Sequence, residues 1–125
     1  MTQSQRYANI KLKNQKIRGD FMEKYAWTAK VKEGCIDEYI KRHNEIWQEL
    51  KDVLKIAGIK NYTIWADGNT LFGYYECETG VKHALEVQKE SPIIAKWNDF
   101  MKDILVMDIA PDGGQPKLKQ VFSFR

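Results

Sequence analysis

Cysteine is scarce in this chain of 125 residues: Cys35 and Cys77 are the two. Their positions have no metal-ligand spacing, and a reduced cytosolic chain is the default reading. Three prolines and eight glycines are too few for a collagen-like or low-complexity chain. No stretch approaches the run of about 18 apolar residues that a membrane-spanning helix needs. Met1 to Ile10 is polar and lacks the apolar segment of a secretory signal, so the Asn61-Tyr62-Thr63 glycosylation sequon carries no weight. GxGxxG, Walker A, HExxH and CxxC patterns are all missing, which leaves nucleotide-binding and structural-zinc readings without support.

What is there is ordinary globular composition, 43% hydrophobic and 30% charged, at a length suited to one domain. A chain this long buries about two-thirds of its extended surface, enough for one core. The net charge of +3 is unevenly placed. Arg6, Lys11, Lys13, Lys16, Arg18 and Lys24 face only Asp20 and Glu23 in the first 24 residues, so the basic excess belongs to the N-terminal segment. Such an arm binds nucleic acid or anionic surfaces in some proteins; a solvated tail is the simpler reading. Residues 1–22 show no sustained period and read as a basic extension, with one domain over 23–125.

From Lys24 the pattern changes. Tyr25, Trp27 and Ala29 alternate with Ala26, Thr28 and Lys30, as in a strand with one packed face. Ile36, Tyr39, Ile40, His43, Ile46, Trp47, Leu50, Val53, Leu54 and Ala57 then recur at spacings of three and four. This predicts one amphipathic helix of about six turns, with Gly58 in the place of a C-terminal cap. Ile59 to Trp65 and Thr70 to Cys77 are rich in β-branched and aromatic residues around Asp67-Gly68-Asn69, a hairpin signal. Val81 to Lys89 reads as a short helix. Ser91-Pro92 looks like a cap with proline at the first helical position, before a face of Ile93, Ile94, Trp97, Phe100, Met101, Ile104 and Leu105. Asp108 to Lys117 reads as a loop, and Gln120 to Phe124 as a last strand. The order is βαββαβ, an α+β ferredoxin-like arrangement: an antiparallel sheet with helices on one face. The other face also carries aromatics, and a second copy of the chain is its simplest cover.

Two histidines are present. His83, among Lys82 and Glu86, reads as a solvated surface residue. His43 lies in the apolar stripe, one turn from Tyr39 and from Trp47, where partial desolvation would hold it neutral near pH 7 for acid–base work. A core histidine bonded to a backbone carbonyl fits the same spacing. Tyr39, Trp47, Tyr62, Trp65 and Trp97 likewise suit either a core or a wall that stacks on the C–H face of a sugar. Asn44 and Asn61 are candidates for contacts with its hydroxyls.

Tyr39-Ile40-Lys41-Arg42-His43-Asn44-Glu45-Ile46-Trp47-Gln48-Glu49-Leu50 resembles the Y-x-x-R-H-N-x-I-W-x-E-L segment of the L-rhamnose mutarotases. The resemblance continues through Gly58 to Ile64, Leu71-Phe72, Tyr75-Glu76, Lys96-Trp97, Phe100-Met101, Pro111-Asp112 and Gln120-Val121-Phe122. It implies a dimeric α/β barrel of ferredoxin-like subunits that interconverts the α and β anomers of L-rhamnose without a cofactor or metal. It also implies His43 as proton donor and Tyr39, Tyr62 and Trp97 as sugar contacts. Asn98, a further expected sugar contact, stands where some members carry a second tryptophan, and Glu45 and Gln48 where prolines are common. The hairpin turn is shorter by about two residues than in some members. Alternatives that fit the residues are a mutarotase for another deoxy sugar such as L-fucose, a small cofactor-free monooxygenase-like protein, and a non-catalytic sugar-binding module. Neither nucleic acid nor membrane is expected as a partner.

Overall fold

The alternating segment after the N-terminal extension forms strand β1 (Glu23–Val31). Further along come helices α1 (Ile36–Asn44) and α2 (Gln48–Ile56), then the hairpin of β2 (Ile59–Asp67) and β3 (Thr70–Cys77). Helices α3 (Val81–Glu90) and α4 (Pro92–Met101) lead to the short strand β4 (Leu105–Val106). The computed structural model describes residues 22–106 and 116–124. The expected extension over 1–22 falls almost wholly outside them, as does most of the expected loop from Asp108 to Lys117.

The sheet has the order β2-β3-β1-β4, with every neighbouring pair antiparallel. This is the ferredoxin-like arrangement expected from the sequence. Gly68 opens the hairpin turn at φ +60°, a conformation that glycine adopts without a Cβ penalty. At the start of α4, Ser91 caps as its position suggests: its Oγ accepts the Ile94 N–H at 3.3 Å, and Pro92 fills the first helical position.

Strand alternation gives the sheet two unlike faces. Tyr25, Trp27 and Val31 of β1 share the inner face with Leu71, Gly73, Tyr75 and Cys77 of β3. Helices cover it through Leu50, Ala57, Ala84, Trp97 and Met101, and the core lies between the two layers. The outer face carries Thr28, Trp65, Phe72 and Tyr74. Trp65 there is 68% exposed and Phe72 40%.

Two sequence expectations are corrected. The single helix over 36–57 is two nine-residue helices separated at Glu45, Ile46 and Trp47. Trp47 leaves helical geometry (φ −64°, ψ 138°) and caps α2, while its ring packs edge-on to Trp97 with centroids 5.1 Å apart. Apolar spacing cannot reveal such a break when both pieces bury the same side against one core. Glu45 within the break and Gln48 just after it are the two positions where the resembled family commonly has proline.

The second correction concerns the last strand. Gln120–Phe124 forms none; the fourth strand is Leu105–Val106, paired with Lys30 and Val31. Ile104 and Leu105, expected on the last helix, lie beyond its end. Backbone hydrogen bonds join the C-terminal segment to β1 near Lys117, where Leu118 N–H donates to Ala26 O at 2.8 Å and Thr28 N–H to Pro116 O at 3.0 Å. Val121, Phe122 and Phe124 stay exposed. Alternation is a propensity for strand, whereas a strand also needs a neighbour with free backbone groups.

Candidate active site

The site is built over the inner face, where α1 meets α4. His43 sits in the last turn of α1, half-buried. Its ring stacks on Tyr39 one turn earlier, at 4.2 Å between centroids, and meets the edge of Trp97 at 5.3 Å. Trp47 packs on Trp97 and on Phe100, so α4 supplies the aromatic wall and the helix break supplies one of its partners. No group of three or more His, Cys, Asp or Glu side chains among the described residues could hold a metal ion.

The hydrogen bonding of His43 sets its chemistry. Nδ1 lies 3.0 Å from the Tyr39 carbonyl oxygen. A carbonyl only accepts, so Nδ1 carries the proton, and in the neutral ring Nε2 keeps its lone pair. Nε2 has no hydrogen-bond partner among the described residues. Burial lowers the His43 pKa from its ordinary value, and the bond to Tyr39 only partly offsets this. His43 therefore rests neutral at pH 7, with one ring nitrogen tied down and the other free to exchange a proton.

Tyr62 joins the site through an irregularity in β2. The register with β3 shifts between Lys60 and Thr63, and Asn61 adopts φ +50° there. The extra residue resets the alternation, so that Tyr62 and Ile64 share the face of Ile59. Asn61 holds the bulge from outside, its Nδ2 donating to Glu76 Oε1 at 2.8 Å. Tyr62 packs on Tyr75 at 5.1 Å. Burial pushes the Tyr62 and Tyr39 phenols well above their usual range, and the two hydroxyls are close enough for Tyr39 to add to the Tyr62 shift. Both stay protonated at neutral pH.

Of the residues singled out from the sequence, Tyr39, His43, Trp47 and Trp97 meet directly, and Tyr62 faces them from the sheet. Asn44 and Asn98 are exposed on their helices. Asn61 is committed to Glu76, and Trp65 lies on the outer face. Neither is brought to His43.

Arg42 gained no role from the sequence, although it stands in the quoted motif beside His43. Its guanidinium pairs with Asp103 through Nη1–Oδ1 at 2.8 Å and Nη2–Oδ2 at 3.1 Å, and donates to the Phe100 carbonyl at 2.8 Å. Nε donates to Glu38 at 3.0 Å, and the group lies 4.5 Å above the Phe100 ring. The hydrogen bond from Arg42 holds the Asp103 carboxyl below its ordinary value. This clamp ties the helix of His43 to the C-terminal end of the helix of Trp97. In the sequence Arg42 reads as one more residue of the polar flank, and its partner, some 60 residues on, is visible only in the fold.

Comparison with known proteins agrees with this geometry. A family model described as L-rhamnose mutarotase matches residues 24–124. An L-rhamnose mutarotase of Lachnoclostridium phytofermentans is 40% identical over 105 residues, covering 81% of this chain and 97% of the relative. The crystal structure of an L-rhamnose mutarotase from Formosa agariphila superposes with a TM-score of 0.67 at 33% identity, over 82% of this chain and 99% of that one. Tetracenomycin F2 cyclase of Streptomyces glaucescens, a polyketide cyclase, superposes at 0.62 with 9% identity and so shares the fold alone. With its R-H-N segment, its sheet order and its nearly full-length match, the chain belongs to the L-rhamnose mutarotase family.

Proposed function

We propose that this protein interconverts the α and β anomers of L-rhamnose through proton transfer by His43. The observation that carries the reading is the tautomer: Nδ1 is bound to the Tyr39 carbonyl, which leaves Nε2 as the one exchangeable position beside an aromatic wall. Mutarotation opens the pyranose to an aldehyde, lets C1 rotate and recloses the ring. The ring oxygen must gain a proton as the C1–O bond breaks, and the anomeric hydroxyl must lose one. Protonated at Nε2, His43 delivers the first proton; neutral, it takes that proton back on closure. A positioned acid or base of this kind contributes about 10²–10⁴-fold. Tyr39, held protonated, binds sugar rather than serving as base, and water takes the anomeric proton. Trp97 and Trp47 offer a surface for the C–H face and the methyl group of a 6-deoxy sugar. The chemistry requires no cofactor and no metal.

Saturation-transfer NMR of L-rhamnose tests this. Intact protein should speed anomer exchange, and His43→Ala should return it to the uncatalysed rate. No acceleration with L-rhamnose, but acceleration with L-fucose, would assign the site to that sugar. No acceleration with any aldose would leave a binding module.

The same reading places the protein in the cytoplasm, as one domain over residues 23–125 behind a basic extension. No described helix is long and apolar enough to cross a membrane. It further makes the protein a homodimer, the second copy covering Trp65 and Phe72 on the outer face. Light scattering should give twice the chain mass, and Trp65→Glu should lower it.

A further inference from the structure

Trp27 stands on the inner face of β1, 3% exposed, directly across the ladder from Gly73 of β3. A Cβ on residue 73 would lie 2.0 Å from the indole ring and 2.3 Å from its nitrogen. Only a residue without a side chain leaves the indole its place. From there the indole reaches over β3 to β2, where its Nε1–H donates to the Tyr62 hydroxyl oxygen at 3.0 Å. An indole N–H donates and never accepts, so the bond has a fixed direction. It occupies a lone pair of the Tyr62 oxygen and turns the hydroxyl proton elsewhere. No described residue accepts that proton.

We propose that Trp27 is a positioning residue which, seated over Gly73, fixes the Tyr62 hydroxyl as a hydrogen-bond donor to an oxygen of a sugar bound beside His43. This deepens the mutarotase reading and rests on it. Burial keeps the Tyr62 phenol protonated through neutral pH, so the group binds and orients while His43 moves the proton. A hydroxyl with a free rotor meets a sugar as donor or acceptor and loses that freedom on binding. One committed in advance has already lost it, and selects oxygens that present a lone pair.

The test replaces Trp27 in the full chain with β-(3-benzothienyl)alanine, which keeps the ring shape and lacks the N–H. For L-rhamnose, KM should rise about 3- to 10-fold, the worth of one net hydrogen bond, with kcat within about twofold. In a Tyr62→Phe background the same replacement should leave KM unchanged. Without sugar, the indole N–H resonance that disappears in Trp27→Phe should shift in Tyr62→Phe. Two results overturn the proposal while leaving the mutarotase reading intact: an active isostere with unchanged KM, or an equal rise in KM with and without the Tyr62 hydroxyl. Either would make Trp27 a packing residue. If the unmodified protein speeds exchange of no aldose, the mutarotase reading itself fails and the donor role goes with it. An intact indole shift would then show a structural bond only.

Discussion

The two faces of the sheet carry the same kinds of residue and meet opposite fates. Tyr25, Trp27 and Tyr75 on the inner face are almost wholly buried, whereas Trp65 and Phe72 on the outer face remain open to solvent. Aromatic content does not separate them, and neither does strand propensity. The difference is what lies opposite. Helices α2, α3 and α4 place Leu50, Ala84, Trp97 and Met101 over the inner side, and no described helix covers the outer one. The candidate site lies only where helices brought a titratable group to the aromatics and a bulge brought Tyr62. Across the sheet the same chemistry remains an exposed surface.

The sharpest break in that comparison is catalytic. His43→Ala should lower the accelerated anomer exchange by about 100-fold or more, while His83→Ala, exposed on α3, should leave it within about twofold. Equal losses in exchange assays would remove the inner face from the chemistry.

Stability comes next. Leu71→Ala, on the inner face, should cost about 2–5 kcal/mol in urea unfolding. Its neighbour Phe72→Ala, on the outer face, should cost less than about 1 kcal/mol in dilute protein, and more as concentration rises if a second copy covers it. Equal, concentration-independent costs would erase the distinction between the faces.

Asn61 sharpens the comparison on β2, where the bulge decides which face Tyr62 joins. Asn61→Val puts a β-branched residue at φ +50° and should cost about 1–2 kcal/mol with a raised KM. Asn61→Gly, free to adopt that φ, should retain the bulge and most of the affinity. Matched KM values for the two variants would dissociate the bulge from sugar binding.

The smallest effect is that of pH on stability. The folded-state pKa of His43 is lowered, so protonation favours the unfolded chain. The contribution of neutral His43 is complete above about pH 6.5, the unfolded value, and is lost as pH falls toward the lowered folded value. His43→Gln should flatten that part of the curve. Activity runs the other way: the imidazolium opens the ring, so the rate per enzyme should rise as pH falls from 8 to 6. A rate that rises with pH instead would make His43 the base at the anomeric oxygen.

Much of this was legible in the sequence because it is local. Alternation gave β1 and the hairpin, spacing gave the helical segments, and Ser91-Pro92 gave the start of α4. The stripe through Tyr39, His43 and Trp47 placed three site residues on one side. What escaped depended on distant partners. The helix break at Glu45–Trp47 preserves the apolar spacing that would have betrayed it. The Gln120–Phe124 alternation found no free strand edge. Asn61 looked like a sugar contact and Tyr62 like its equal, until a single bulge turned one outward and the other inward.

The sequence by itself determined most of the order of the elements and the buried stripe that carries the candidate His43, because each follows from chemistry repeated at short, regular spacing. Only the tertiary structure decided that His43 is tied at Nδ1 and open at Nε2 beside Trp97. It alone showed that Arg42 clamps α1 to Asp103, and that Trp27 reaches Tyr62 because residue 73 has no side chain. The Nδ1 bond is local, but the packing beside Trp97, the clamp and the indole bond join residues some 35 to 61 positions apart, whose meeting no local pattern records.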